Sequence, residues 1–382
     1  MSVEKKVPEV RFKGFGGEWY EVALSSVIDI RSGKDYKHLG KGNIPVYGTG
    51  GYMLSVDSAL SNDDAIGIGR KGTIDKPCIL RAPFWTVDTL FYAVPFPGFN
   101  LDFLFCLFQK IEWKKHDEST GVPSLSKIAI NNVSVYATNE LEQTAIGNYF
   151  QKLDTLINQH QQKHDKLSST KKAMLEKMFP KQGETIPEIR FKGFSGEWEE
   201  KGLNNEVELF SGLTYSPSDI RNSGTLVLRS SNVKNGQLIE ADNIYVNPEV
   251  VNCRNVVEGD IIVVVRNGSR SLIGKHAQVT SRMNNTVIGA FMTGIRSKQP
   301  AFINALLDTN MFTTEVEKNL GATINQITNG SFNSMVFMFP KEDEQQEIGN
   351  YFQKLDALIN QHQQQITKLN NIKQACLSKM FI

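Results

Sequence analysis

Hydrophobic positions recur every seven residues in two stretches of the chain. Ile146, Leu153, His160, Leu167 and Met174 form one series, with Tyr149 and Leu156 in the intervening core register. Ile348, Leu355, His362, Leu369 and Cys376 form the other, with Tyr351, Leu358 and Ile372 between them. A sustained seven-residue repeat is the seam of a coiled coil, so residues 139–180 and 341–382 are expected to be long helices. Asn139 and Glu142 have the spacing of a capping box, Pro340 stands where the second helix would begin, and Pro180 ends the first. Each helix carries one apolar stripe, and the most economical partner for each stripe is the other. Two helices of about 35 residues would form a rod of roughly 50 Å. Since the first must hand the chain on to the material between them, antiparallel packing is expected.

Outside these stretches the pattern shortens. In residues 1–138, apolar runs such as IPVYG, DAIGIG, CILRAPFW and TLFYAV are separated by Gly, Asn, Asp and Pro, which reads as many short strands. LDFLFCLFQKIEWKK, residues 101–115, breaks into helical spacing. Residues 181–340 repeat this texture. GDIIVVVRNGSRSLIGKHA is the clearest hairpin, with Ile261–Val265 as the outgoing strand and Leu272 and Ile273 starting the return. AFINALLDTNMFTTEVEKNL reads as a helix. The fold class expected is α+β: two globular domains, 1–138 and 181–340, separated by two long helices.

The two halves are copies. IGNYFQKLDTLINQHQQ, residues 146–162, returns at 348–364 with Thr155 replaced by Ala357 as the only change. PEVRFKGFGGEW, residues 8–19, returns at 187–198 as PEIRFKGFSGEW. The helices lie 202 positions apart and the leading blocks 179, so the second half holds 23 more residues between them. The frame is duplicated while its contents have diverged, as in two long units of one design. In the leading block, Phe12, Phe15 and Trp19 read as anchors of a fixed turn.

Composition changes this picture little. Hydrophobic content of 40% and charged content of 22% are ordinary for a water-soluble protein. No apolar run approaches a membrane span or a secretory signal, so the expected setting is the cytoplasm, without membrane contact. Cys78, Cys106, Cys253 and Cys376 lack paired spacing. His160 and His362 fall at equivalent seam positions with His164 one turn on, but no carboxylate or Cys joins them at ligand spacing; a polar residue fixing register is the expectation, and no metal or cofactor is expected. With 42 basic against 41 acidic residues, any affinity for nucleic acid must come from local clustering.

Four loops cluster charge in that way. Residues 31–52 carry Lys34, Lys37 and Lys41 among glycines, with Tyr47 able to stack or donate a hydrogen bond. IGIGRKGTID contains a formal GxGxxG, but the Thr-Ile-Asp-Lys-Pro that follows Gly72 cannot open a helix, so a dinucleotide site is rejected in favour of a hairpin tip displaying Arg70 and Lys71. In the second half, Arg229, Ser230, Ser231, Asn232 and Lys234 form a polar turn. Arg266, Asn267, Ser269 and Arg270 form the hairpin tip, with Lys275 on its return. These side chains read base edges or hold phosphates, and they serve equally well on solvated loops. Charge alone does not choose between the two.

The arrangement of variable unit, copied helix, variable unit and copied helix resembles the DNA specificity subunit of Type I restriction-modification systems. GRKGTID, FWTVDTLFY, LRSSNVKNGQL, GDIIVVVRNGSRSLIGKHA and the doubled EQxxIGNYFQKLDxLI carry the likeness across nearly the whole chain. The resemblance implies that each variable unit is a target recognition domain reading one part of a split duplex site. It implies that the helices are a ruler and a docking surface for two modification (methyltransferase) subunits, with restriction subunits joining further out, and that this chain is non-catalytic. The four loops then become candidate DNA contacts. Neither a Walker-type phosphate loop nor an Asn/Asp-Pro-Pro-aromatic motif is present. The alternatives are a stand-alone DNA-binding regulator and a coiled-coil scaffold without DNA affinity.

Overall fold

The computed structural model describes residues 6–321 and 325–382. The chain forms two compact units, Met1–Gln162 with Gln363–Ile382, and Lys163–His362. In the first, the elements run β1 (Tyr20–Ala23), β2 (Ile28–Ser32), β3 (Lys41–Gly48), β4 (Gly51–Val56), β5 (Ala65–Gly69), β6 (Cys78–Leu80), β7 (Trp85–Thr86), β8 (Leu90–Pro95), α1 (Leu101–Lys110), α2 (Lys127–Asn131), β9 (Ser134–Ala137) and the start of α3 (Glu140–Met178). An antiparallel sheet of order β2-β8-β5-β6 carries the core, and a smaller sheet, β4-β3-β7, lies beside it.

The second unit repeats the plan with β10 (Glu199–Gly202), β11 (Val207–Ser211), β12 (Ile220–Arg221), β13 (Thr225–Leu228), β14 (Val233–Lys234), β15 (Gln237–Leu238), β16 (Ile244–Val246), β17 (Ile261–Val264), β18 (His276–Gln278), β19 (Thr286–Ile288), β20 (Met292–Ser297), α4 (Pro300–Leu307), α5 (Asn310–Asn319), α6 (Asn329–Asn333), β21 (Val336–Phe339) and α7 (Glu342–Lys379). Its sheet order β11-β20-β17-β18 matches β2-β8-β5-β6 strand for strand. The expected helix over 301–320 is two: Asp308 closes α4 and the Thr309 side chain accepts from Phe312 N–H to start α5. The hairpin return begins at His276 rather than Leu272, because Arg270–Leu272 winds into a 3₁₀ turn.

Both long helices form, and each unit takes part of each. In the first unit, Ile146, Phe150 and Leu153 of α3 share a core with Leu377, Met380 and Phe381 at the end of α7. In the second, Ile348, Phe352 and Leu355 of α7 share one with Met178 and Phe179 at the end of α3. The start of one helix thus meets the end of the other within each unit, which is antiparallel pairing. Polar contacts keep the same register: Asp154 pairs with Lys373, and Asp356 with Lys171, both at 2.6 Å.

The expected seam is only partly the buried face. Ile146, Leu153, Ile348 and Leu355 are buried, while Tyr149, Leu156, His160, Leu167, Tyr351, His362 and Leu369 are half-buried. Leu358 is exposed (44%), whereas Phe150 and Phe352, outside the seven-residue count, are buried. The face turned to each sheet and its helix adds a second apolar stripe that a helix-to-helix repeat does not describe.

The leading block clasps both helices. Arg11 grips Glu142 through Nε (2.5 Å) and Nη2 (2.6 Å) and also holds the carbonyls of Gly16 and Gly17. Val10 N–H meanwhile donates to Lys379 O (2.9 Å) at the end of α7. In the second unit, Arg190 grips Glu344 (2.6 and 2.7 Å) and Ile189 N–H donates to Lys177 O (2.9 Å). Asn139 caps the Glu142 N–H as expected, but the Glu142 carboxylate turns to Arg11 and Thr138 instead of closing a capping box. Behind the clasp, Phe381 meets Trp19, Phe103 and Phe150 at centroid distances of 5.5–6.0 Å. Phe179 meets Trp198, Phe302 and Phe352 at 5.6–6.1 Å. Phe12 stacks edge-on against Tyr149, at 5.6 Å. Among the described residues no helix is long and apolar enough to cross a membrane.

In the second unit, a charge cluster ties the hairpin strand β18 to the helices. Lys171 sits between Asp308 and Asp356 (2.6 Å each), and His276 Nε2 lies 3.4 Å from Asp308. Burial pushes the Asp308 carboxyl up, but His276 and Lys171 outweigh it and hold it at about 2; burial keeps Asp356 raised despite Lys171.

Two outcomes follow. Arg190→Ala leaves the Glu344 carboxylate buried and unpaired, and should cost about 3 kcal/mol in urea unfolding. A depressed carboxyl contributes stability that is whole above the ordinary carboxylate value of about 4 and fades as pH falls toward the folded value. The Asp308 contribution should therefore disappear between about pH 4 and 2. Asp308→Asn should be less stable at neutral pH and flatter across that acid range; an unchanged acid limb would contradict the cluster's role.

Candidate nucleic-acid interface

The candidate loops of the first unit converge on one segment, Trp85–Leu90. Gly33 N–H donates to Leu90 O, Lys34 N–H to Thr86 O, Val87 N–H to Tyr47 O and Arg70 N–H to Thr89 O, at 2.8–3.1 Å. Trp85 Nε1 returns a bond to Lys34 O (2.8 Å). A Cβ on Gly33 would sit 1.9 Å from Val87 O, so only glycine allows this approach. Lys34, Lys37, Lys41, Arg70 and Lys71 are exposed around this hub. The Tyr47 ring is half-buried and packs edge-on against Tyr52 (6.4 Å), and it is Tyr52 that stands out into solvent.

The second unit has the same hub in Ile288–Phe291. Leu213 N–H donates to Ile288 O, Gly289 N–H to Leu228 O, and both Val265 and Arg266 N–H to Phe291 O, at 2.7–3.1 Å. A Cβ on Gly212 would lie 2.1 Å from Gly289 O. The two polar loops meet here, with Asn267 Nδ2 donating to Ser230 Oγ (3.1 Å). Asn267 Oδ1 also accepts from Ser269 N–H, and Ser269 and Ser271 hydroxyls lie 3.0 Å apart. Lys234 is exposed at a tight hairpin whose Asn235 and Gly236 have φ of 51° and 71°. Ser231 and Lys275 are exposed as well.

Two candidates serve the fold instead. Asn232 is buried. Its Oδ1 accepts from Arg229 N–H (2.9 Å) and its Nδ2 faces the Ile239 and Ala241 carbonyls and Asn243 Oδ1 at 3.0–3.2 Å. Arg229 is half-buried, with Nη2 on Asp242 O (2.7 Å). Asn232, expected as a DNA contact, is thus placed in the structure as a buried strut of its loop. Short amide side chains suit both tasks, so residue type could not separate them.

The arginines sort by partner. Arg11, Arg31, Arg81, Arg190, Arg254 and Arg296 each face a carboxylate. Arg221, Arg229 and Arg282 hold backbone or amide oxygens. Among the described residues, Arg70, Arg266 and Arg270 alone have guanidinium groups with no such partner, and all three sit on the tips that follow β5 and β17. Two stack on rings: Arg70 lies 5.8 Å from the centroid of Phe91, and Arg266 4.8 Å from that of Phe291, which is itself 53% exposed. Phe291 carried no signal in sequence, since GAFMTG reads as an ordinary strand start. Exposed cations without internal partners, beside an exposed ring, are groups available to an outside anion or base. Among the described residues no group of three or more His, Cys, Asp or Glu could hold a metal ion.

A model of the Type I restriction modification DNA specificity domain matches residues 16–169 and 195–371. The chain is 24% identical over 186 residues to the StySPI specificity subunit of Salmonella potsdam, covering 46% of this chain and 39% of that one. It is 22% identical over 264 residues to the MjaVIII specificity subunit of Methanocaldococcus jannaschii, covering 64% and 60%. The matches thus span less than two thirds of either relative. The solved structure of a Type I restriction-modification S subunit from M. genitalium superposes with a TM-score of 0.69 over 98% of this chain and 99% of that one, at 14% identity. The likeness to that structure is one of fold.

Proposed function

Because the chain belongs to the Type I restriction modification DNA specificity domain family, we propose that it is the sequence-reading subunit of a Type I restriction-modification complex. Each globular unit reads one part of a split, asymmetric duplex site, and the paired helices set the spacing between the parts. Two modification subunits dock on the helices, restriction subunits join further out, and the chemistry resides in these partners, in the cytoplasm.

The observation that carries this reading is the placement of unpartnered arginines. Each half matched by the family has one such tip, built on the same hub, while the other arginines are tied into the fold. Lys34, Lys37, Lys41 and Lys71 in the first unit, and Ser230, Ser231, Lys234, Asn267, Ser269 and Lys275 in the second, extend each tip as phosphate or base contacts.

Assembled with its modification subunits, the full chain should bind one bipartite duplex about a thousandfold more tightly than a scrambled duplex at physiological salt. The motif is first read from the methylome of cells carrying the complete system. Equal affinity for both duplexes would reject the reading and favour a scaffold, while tight binding by a chain that recruits no methyltransferase would favour a stand-alone regulator. Seven residues inserted into α3 alone would add about 10 Å of helix and should change the tolerated spacer or abolish assembly. If neither changed, the helices would not be the ruler.

A further inference from the structure

The two tips read Arg70-Lys71-Gly72 and Arg266-Asn267-Gly268 in sequence, yet their backbone contacts align them one residue out of that match. Lys71 forms an antiparallel bridge with Ser124, and Arg266 with Gln326. One position earlier, Leu125 N–H donates to Arg70 O and Ile327 N–H to Val265 O, both at 2.9 Å. One position later, Gly72 N–H donates to Pro123 O (2.8 Å) and Asn267 N–H to Asn325 O (3.2 Å). Lys71 and Arg266 therefore occupy a single backbone slot. By the same alignment, Thr89 and Phe291 occupy the slot beside it, accepting from Arg70 and Val265 N–H.

Building on the specificity reading above, we propose that this slot is the base-reading position of each unit, with Arg266, held over Phe291, reading a guanine while Arg270 contacts the phosphate backbone. Among the described residues the guanidinium of Arg266 has no carboxylate or carbonyl partner, and it lies 4.8 Å from a ring that is more than half exposed. Stacking restricts the side chain and leaves a planar N–H edge outward, a fork that matches the O6 and N7 acceptors of guanine. The neighbouring Asn267 and Ser269 are held by Ser230 and Ser271, so among the described residues of this slot the side chain left without an internal polar partner is Arg266. Arg270 extends from an exposed 3₁₀ turn without a stacking ring, which suits a cation that finds phosphates rather than one that discriminates bases. Lys71 places a point charge in the same slot, so the first unit discriminates less sharply there. Phe291 is a positioning residue acting through Arg266.

The test is selection from randomised duplexes by the full chain assembled with its modification subunits, comparing wild type with Arg266→Ala, Arg266→Lys, Arg270→Ala, Phe291→Leu, Phe291→Tyr and Lys71→Ala. Arg266→Ala should lose a preference of about tenfold to a hundredfold for one G·C pair in one half-site, leaving the other half-site intact. Phe291→Leu should relax that same pair and Phe291→Tyr should keep it. Arg270→Ala should weaken all duplexes alike and make the salt dependence shallower by about one ion, with the motif unchanged. Lys71→Ala should relax a position in the other half-site. Matching thermal melts establish that the variants fold. An intact motif in both Arg266 variants, or a uniform affinity loss in Phe291→Leu, overturns the assignment. A wild-type chain that selects no motif rejects the specificity reading itself, and the guanine assignment falls with it.

Discussion

Each unit is closed by an arginine and the residue before it, which between them hold two helix ends at once. Arg11 grips Glu142 at the start of α3 while its neighbour Val10 bonds the end of α7; Arg190 and Ile189 do the same with the helices exchanged. These pairs join charges whose carboxylates are almost fully buried, so the attraction must offset a desolvation cost of several kcal/mol. Bidentate geometry and the extra carbonyl contacts make that balance favourable, and loss of one partner would leave the other stranded. The aromatic clusters around Phe381 and Phe179 lie directly behind, and they form only when the arriving helix end is in place. Neither core is complete on the residues preceding its own helix.

This exchange accounts for the copied sequence blocks. The segments repeated almost unchanged are those meeting in the clasp: the leading block, the first half of each helix, and the Met-Phe pair at its end. The extra residues of the second half fall between these anchors, at the hairpin tips and in the loops before β17, where the backbone is exposed and added length costs little. A hub of backbone carbonyls then returns each variable loop to the same place. Gly33 and Gly212 survive amid divergent neighbours because a carbonyl occupies the space a Cβ would need.

Much of the architecture was legible because its signals were periodic. The helices, their pairing, the short-strand texture and the duplication all follow from spacing. The site was less legible because residue type is ambiguous without coordinates. Asn232 and Asn267 look alike in sequence, yet one is a buried strut and the other bridges two exposed loops. Phe150 and Phe352 escaped the seven-residue count because it describes only the face between helices. Phe291 gained meaning only through the strand register that sets it beside Arg266. Lys71 and Arg266 are equivalent solely through their backbone bridges, which no linear alignment of the two halves exposes.

Fold and the proposed recognition rest on different residues, and the energetics of each set differ accordingly. Arg190, Glu344, Asn232 and the hub glycines are buried or committed, and changing them carries the cost of an unpaired group or a steric clash, typically more than 1 kcal/mol. Arg70, Arg266, Arg270, Lys71 and Lys234 have exposed side chains, where substitution ordinarily shifts stability by less than about 0.5 kcal/mol. On the proposed function, the exposed contact residues can therefore vary over a wide range while the clasp and hub keep the backbone slots fixed. A unit built this way can change its exposed side chains without relearning how to fold, because the constraint that closes the core does not pass through the residues that face outward.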